Sequence, residues 1–469
     1  MTFSDWILAS QWFFLAYFVG LNGGYLVLNL LSLVSIKRHL DAHALDSLPQ
    51  MHSGFEPPVS ILVPAYNEET TIAASVSSLL QLNYPEYEVI VINDGSRDGT
   101  LAALQREFAL VPFPEVYWRR LETRPVRAIY RSTLHPNLRV LDKENGGKAD
   151  GLNAGINASR YPLFCGVDAD SILERDSLKR VAGPFLEDPL TIAAGGTVRI
   201  ANGCTVEGGF LTGVGLPRHP LALMQIVEYL RAFLFGRMGW SPLNAMLIIS
   251  GAFGLFRKDT VVAAGGYREK TIGEDMELVV RLHRQHRQQR RPYRISYVPD
   301  PICWTEAPES LGVLKGQRVR WQRGLAESLT QNLSLLFHPR GGAPGWLAFP
   351  FMVVFEWLGP LIEVAGYAFM ITGFALGLIS WPAFATFMLV AFGFGLILSV
   401  SALLLEEISF HVYPRPWQLL VLLGMAVVEN FGYRQLNSVW RLWGLLKWIS
   451  GSKARWGEMK RTASWQARS

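Results

Sequence analysis

Hydrophobic and polar positions divide the chain into three stretches. From Trp6 to Ile36 no side chain is charged, a run longer than the roughly 20 residues a helix needs to cross a bilayer. A second apolar block begins near Trp346, and Val364 through Leu405 carries no charge. That length predicts two spans with the turn at Ser380, Trp381 and Pro382, and a third candidate from Trp417 to Trp440 is interrupted by Glu429 and Arg434. Between the blocks, short β-rich runs alternate with helical stretches. Val59 to Val63, Glu88 to Ile92, Leu138 to Leu141, Leu163 to Val167 and Thr191 to Ile200 predict strands, and Glu69 to Gln81 predicts a helix. This alternation is the βαβ signature of a parallel sheet. The expected organisation is an N-terminal transmembrane anchor (1–40), an α/β domain ending in interfacial helices (41–340), and transmembrane or interfacial helices with a basic tail (341–469).

Composition agrees with a chain that lies partly in lipid: 50% of the 469 residues are hydrophobic and 18% charged, too apolar for a purely soluble protein. The first apolar run exceeds a signal-peptide core of about 7–15 residues. Asp5 stands where such a signal would be basic, so the run reads as a retained anchor. Lys37, Arg38 and His39 directly follow it, which places the α/β region in the cytosol of a multi-pass protein of the cell (inner) membrane. Lys447, Lys453, Arg455, Lys460 and Arg461 keep the tail inside as well. Three spans after a cytosolic domain would put it outside. One apolar segment is therefore expected to be re-entrant or interfacial, around Pro350 and Pro360 or around Arg434 and Arg441. The net charge of +5 suits anionic membrane lipids and calls for no nucleic acid. Three widely spaced cysteines, Cys165, Cys204 and Cys303, are consistent with a reducing compartment.

Polar residues cluster where the predicted strands end: Tyr66, Asn67 and Glu68, then Asn93, Asp94 and Gly95, then Asp168, Ala169 and Asp170. In an open parallel sheet these ends face one ligand crevice. Neither GxGxxG nor GxxxxGK[ST] occurs, which removes the usual dinucleotide and P-loop readings. Alternate carboxylates such as Asp168 and Asp170 are costly side by side unless a cation or solvent compensates them, and Mg²⁺ or Mn²⁺ bridging a diphosphate is the economical explanation. Around Asp94, the stretch Asn93 to Thr100 reads either as a turn with Asp98 as helix N-cap or as a carboxylate for a nucleobase. Gly146, Gly147 and Lys148 put a flexible pair and a cation at a helix start, which suits phosphate. Glu274 and Asp275 open another helix, where the dipole favours acids in any case. Gln317, Arg318, Arg320 and Trp321 fit an interfacial amphipathic helix. The arginine-rich run Arg281 to Arg294 reads as a solvated or headgroup-facing surface.

Taken in order, Pro64-Ala65-Tyr66-Asn67-Glu68, Asn93-Asp94-Gly95, Gly147-Lys148, Asp168-Ala169-Asp170, Gly273-Glu274-Asp275 and Gln317-Arg318-Val319-Arg320-Trp321 resemble the processive branch of the family 2 glycosyltransferases. That branch includes the cellulose, hyaluronan, chitin-oligosaccharide and poly-N-acetylglucosamine synthases. The resemblance spans about residues 55 to 340 and implies a GT-A-type α/β nucleotide-sugar-binding domain beside an α-helical transmembrane region, a divalent cation (Mg²⁺ or Mn²⁺), and inversion at the anomeric carbon. It implies that Tyr66, Glu68 and Asp94 hold the nucleoside, Lys148 and Asp168 the diphosphate, and Asp170 with Asp168 the metal. Asp275 takes the place of the general base, while Glu274, Gln317, Arg318, Arg320 and Trp321 lie toward diphosphate and acceptor. Two motifs depart from the family pattern: Asn-Asp-Gly stands where two acids are common, and Gly-Glu-Asp where Thr-Glu-Asp is common. The implied activity is repeated transfer from a UDP-sugar to a glycan acceptor with export through the membrane helices, an accessory export subunit being a further expected partner. The alternatives are a single transfer to a lipid or lipid-linked acceptor and a catalytically silent membrane subunit. Arg127 and Arg131 match half of a cyclic-di-GMP-binding pattern in reversed order and are read as coincidence.

Overall fold

The computed structural model describes residues 2–46 and 55–452; the basic residues Lys453, Arg455, Lys460 and Arg461 lie outside them. Twelve strands form the α/β part: β1 (Val59–Ala65), β2 (Tyr87–Asp94), β3 (Leu110–Pro112), β4 (Val126–Ser132), β5 (Leu138–Lys143), β6 (Leu163–Val167), β7 (Ile172–Leu173), β8 (Thr191–Ile200), β9 (Thr205–Glu207), β10 (Phe210–Gly213), β11 (Phe253–Arg257) and β12 (Arg294–Thr305). Ten of them make one sheet in the order β3-β4-β5-β2-β1-β6-β11-β8-β12-β7, and β9 and β10 pair separately. The central strands are covered on both faces: Val59, Ile61, Leu62 and Val63 of β1 and Val89 through Ile92 of β2 are fully buried. Double burial is why these strands read as continuous apolar runs rather than alternating ones.

The sheet is mixed, which corrects the expectation of a parallel one. β5, β2, β1 and β6 run parallel to one another, as do β8 and β12. However, β11 lies antiparallel between β6 and β8, and at the other edge β4 runs antiparallel to β5 and β3 antiparallel to β4. Two of the strands not foreseen, β11 and β4, have physical reasons. The Phe253–Arg257 run is too short to be told from the apolar helical stretch before it. β4 lacks a clean in-and-out alternation: Ile129 is buried between the exposed Arg127 and the half-buried Arg131, and its register against β5 shifts between Val126 and Ala128. Arg127 pairs there with Asp142 at 2.9 Å.

The arginine-rich helix also departs from expectation. Arg281 is buried at 2% exposure, pairs with Glu277 at 2.8 Å, and donates to the carbonyls of Ala264 and Gly266. A guanidinium with a carboxylate one helical turn away and two carbonyls beyond can be buried, because its donors are all occupied. Only the far end of the run, residues 289–292, is exposed.

Among the described residues two helices are long and apolar enough to cross a bilayer, Phe3–Lys37 and Trp381–Ser409. Pro344–Trp357 and Gly359–Ala375 form a further pair bent by 46°, where Pro350 and Pro360 had marked a break. The predicted third span is instead divided: Pro416–Val428 and Arg434–Ile449 are separated by non-helical backbone at Phe431 and Gly432, the latter at φ +109°. Glu429, which made that segment look unsuited to lipid, is fully buried, accepts from Ser399 at 2.5 Å and faces Arg231 at 3.4 Å.

Ion pairs fasten the sheet domain to these helices. Arg199 on β8 meets Glu406 of the Trp381–Ser409 helix at 2.8 Å with both side chains almost wholly buried. Arg318 meets Glu228 at 2.6 Å, and the Tyr433 hydroxyl donates to the same carboxylate at 2.7 Å. Removing one member of a buried pair strands the other charge. Arg199→Met is therefore expected to cost about 3–5 kcal/mol, and the double variant R199M/E406M to recover most of it. Thermal unfolding of the detergent-solubilised chain reads both, and a double variant no more stable than the single one contradicts the pairing.

Candidate active site

β1, β2 and β6 end side by side, and the loops leaving them are tied to one another. Asn67, at φ +57°, donates from its backbone N–H to Ser96, and its side chain accepts from the Arg97 N–H at 2.9 Å. The Glu68 N–H donates to Thr100 at 2.9 Å. Asp98 acts from one position before the helix N-cap, which is Gly99, and accepts from the Thr100 N–H at 3.0 Å. Tyr66 is 44% exposed at this rim, and Glu68 lies half-buried beside it.

Asp94 is buried and fully engaged. Its carboxylate accepts from the Gly146 and Gly147 N–H groups at 3.0 and 2.7 Å, from Asn145, and from Lys143 at 2.5 Å. Lys143, at 0% exposure, also meets Asp150. Gly147 has φ +89°, which a residue with a Cβ adopts only under strain, and this turn delivers Lys148 to the start of the helix Lys148–Ala158.

Lys148 is the hub of the site. Its Nζ donates to Asp168 at 2.5 Å and to the Gly251 carbonyl at 3.2 Å, and it lies 3.8 Å from Glu274. The three acids Asp168, Glu274 and Asp275 together hold its pKa above the ordinary lysine value against the opposing effect of burial. Asp275 is half-buried at the first turn of the helix Glu274–Gln288 and accepts from the Gly251 N–H at 2.9 Å and the Met276 N–H at 2.8 Å. Its neighbour Glu274 is buried, and its pKa is pushed up to about 7; burial is the main cause, Lys148 opposes it, and Asp275 adds to it.

The helix Leu311–Thr330 carries the last motif. Trp321 is 38% exposed, with its ring 5.6 Å from that of Phe233 and under the Arg318 guanidinium at 4.5 Å. Arg318 itself is turned inward to Glu228, so it supports Trp321 rather than facing the crevice as an open cation. Gln317 and Arg320 are half-buried. Gly273 and Gly324 bring this helix against the one bearing Asp275: a Cβ on Gly273 would stand 2.9 Å from the Gly324 carbonyl oxygen. The glycine where threonine is common thus has a packing cause in this chain.

The candidate donor, metal, base and acceptor residues named from the sequence all line one cavity of about 1530 Å³. Tyr66, Glu68 and Asp94 border it on one side, Lys148, Asp168 and Asp170 at its floor, and Glu274 and Asp275 beyond them. Gln317, Arg318, Arg320 and Trp321 close it toward the helices. The cavity then continues between the membrane-side helices, past Tyr25, Glu356, Glu363, Tyr367 and Arg441. Sequence reading missed Gly251, whose contribution is backbone and leaves no side-chain signal, and Arg237, a single cation in the apolar stretch before Trp240.

The family model described as glycosyl transferase family 2 matches residues 60–260, and that of glycosyl transferase family group 2 matches residues 164–405, more than half of the chain. The chain belongs to the family 2 glycosyltransferases. Poly-beta-1,6-N-acetyl-D-glucosamine synthase of Staphylococcus aureus is 32% identical to this glycosyltransferase over 277 residues, 58% of the chain and 56% of the relative. The synthase of that name from Staphylococcus epidermidis is 30% identical over 275 residues with the same coverage. The chain thus spans just over half the length of these curated relatives. Among solved structures, a mannosyltransferase from Pyrobaculum calidifontis in complex with GDP-Man and Mn²⁺ superposes with a TM-score of 0.52 at 19% identity, covering 90% of this chain and 99% of that one. The likeness shows the GT-A-type fold.

Glu274 makes the stability of this glycosyltransferase depend on pH. Its native pKa of about 7 exceeds the ordinary value of 4.5, so its contribution is complete below that ordinary value and is lost as pH rises through the native one. Glu274→Gln stays neutral throughout. Relative to the variant, the wild type is expected to lose stability from about pH 4.5 to about pH 7; unfolding curves that run parallel across that range contradict the assignment.

Proposed function

We propose that this glycosyltransferase moves sugars from a UDP-sugar to the non-reducing end of a β-linked polysaccharide, repeatedly and with the product entering the passage between the membrane helices. The observation that carries this reading is the single cavity, which joins Lys148, Asp168 and Asp275 to polar side chains among those helices. The polymer named in the staphylococcal relatives supports N-acetylglucosamine as the sugar. Tyr66 and Glu68 border the nucleoside, with Asp94 fixing the adjoining glycine loop. Lys148 and Arg320 face the diphosphate. The domain then works from the cytosol, where nucleotide sugars are made.

Asp168 and Asp170 form the metal site in this reading. Among the described residues no three His, Cys, Asp or Glu side chains come together as a metal cage, and none is needed. Mg²⁺ and Mn²⁺ take oxygen donors, and one or two carboxylates completed by phosphate oxygens suffice for such an ion. Asp168 meets Lys148 at 2.5 Å, and Asp170, two residues on in the same cavity, takes the part of the principal protein ligand in this reading. When bound, the ion supplies charge neutralisation for the leaving diphosphate.

The reaction is a direct displacement. The acceptor hydroxyl oxygen bonds to the anomeric carbon, the bond from that carbon to the diphosphate breaks with its electron pair on the phosphate oxygen, and the hydroxyl proton passes to Asp275. Two backbone N–H groups, of Gly251 and Met276, orient the carboxylate for that task. Lys148 balances the charge that appears on the leaving group.

Asp275→Asn keeps the shape and can still accept from one of the two N–H groups through its remaining oxygen, yet takes no proton. It is expected to lower transfer by roughly 10²–10⁴-fold while nucleotide binding and the folded state survive. Substantial product from a well-folded Asp275→Asn variant refutes the base assignment; a helix-capping role alone predicts near-normal turnover.

A further inference from the structure

Arg237 has no place in the roles above, yet it lies in the same cavity as Asp275 and Trp321. It sits at the second position of the short helix Gly236–Trp240 and is 8% exposed. Other deeply buried arginines of the domain have acceptors: Arg139 meets Glu88 at 2.6 Å, Arg199 meets Glu406 at 2.8 Å, Arg318 meets Glu228 at 2.6 Å, and Arg323 donates to the Ser452 carbonyl at 2.7 Å. Among the described residues Arg237 has neither a carboxylate within ion-pair distance nor a side-chain hydrogen bond. Its guanidinium lies over the face of Phe233, 4.7 Å from the ring centre.

Burying a guanidinium without an anion is expensive, and here burial pushes the group below its ordinary pKa, with Tyr297, Asp275 and Tyr229 opposing the effect. Stacking on an aromatic face leaves the N–H edge of the guanidinium open in its own plane, the geometry that matches two oxygens of a phosphate. The stack is also continuous. Phe233 lies against Trp321, and Trp321 lies under Arg318, so Arg237 is held in register with the helix that carries Arg320.

We infer that Arg237 is an anion-binding residue of the catalytic cavity that receives the diphosphate of the nucleotide, beside Lys148 and Arg320. The inference rests on the donor reading above and adds a residue to it. An incoming phosphate would supply the missing anion, and the low-dielectric surroundings would strengthen that pair over one made in water. A lipid-headgroup phosphate has the same chemistry and is the competing source, because the cavity opens between membrane helices.

The test measures binding of UDP and of uridine to the full chain in zwitterionic detergent free of anionic lipid, for wild type, Arg237→Gln and Arg237→Lys, with thermal unfolding recorded for each. The expected result is UDP affinity about 10–100-fold weaker in Arg237→Gln, partly restored in Arg237→Lys, with uridine bound equally by all three. UDP bound as tightly by a folded Arg237→Gln overturns the inference, as does equal weakening for uridine. If anionic lipid restores activity to wild type but not to Arg237→Gln while UDP affinity stays the same, the headgroup is the ligand and the inference also falls. A wild type that prefers GDP with the same dependence on Arg237 corrects the donor and leaves the residue's role standing. A wild type that binds no nucleoside diphosphate refutes both.

Discussion

Buried charge must be paired, and that one constraint shapes both the site and its attachment to the helices. Lys148 is held by Asp168 and approached by Glu274, which come from segments far apart in the chain. Lys143, at the end of β5, joins Asp94 at the end of β2 to Asp150 in the helix Lys148–Ala158. Through the Gly146 and Gly147 N–H groups, the same Asp94 carboxylate sets the loop that presents Lys148. Arg199–Glu406 and Arg318–Glu228 repeat the principle where the sheet domain meets the helical region. Each pair is stable only when both segments are in place, so the crevice and its seat on the helices form together.

Close backbone approach sets the remaining geometry. Gly273 and Gly324 let the helix bearing Asp275 and the helix bearing Trp321 touch without intervening side chains. The spacing of the two helices is thereby set by main chain rather than by rotamers. Beyond the platform, the helix break after Trp357 leaves carbonyls without helical partners. Gln322, next to Trp321, donates to the Glu356 and Trp357 carbonyls at 3.1 and 3.0 Å, and Arg441 donates to the Glu356 carbonyl at 2.6 Å. The helix bearing Trp321 is thus bonded directly to the bent membrane-side pair.

Much of this was legible in the sequence, for reasons that particular residues make plain. The strands Leu163–Val167 and Thr191–Ile200 appear at the predicted bounds because double burial leaves uninterrupted apolar runs. Polar groups gathered at strand ends pointed to the crevice, and the turn near Ser380 followed from the length of the apolar run together with Ser380, Trp381 and Pro382. What stayed hidden depends on partners distant in the chain. Arg281 and Arg318 look like surface cations until Glu277 with two carbonyls, and Glu228, are found beside them. Glu429 looks like a defect in a span until Arg231 and Ser399 are in place. The antiparallel strands β4 and β11 were missed because one reads as a basic motif and the other as a piece of an apolar helix.

The central claim is that one cavity both makes and receives a polymer. Purified full-length protein supplied in turn with radiolabelled UDP-sugars, its products sized by gel, tests that claim most directly. The account predicts that one UDP-sugar yields a ladder of long chains, N-acetylglucosamine being the first candidate. A product carrying a single added sugar, or no transfer from any of the donors by a folded protein, would contradict it.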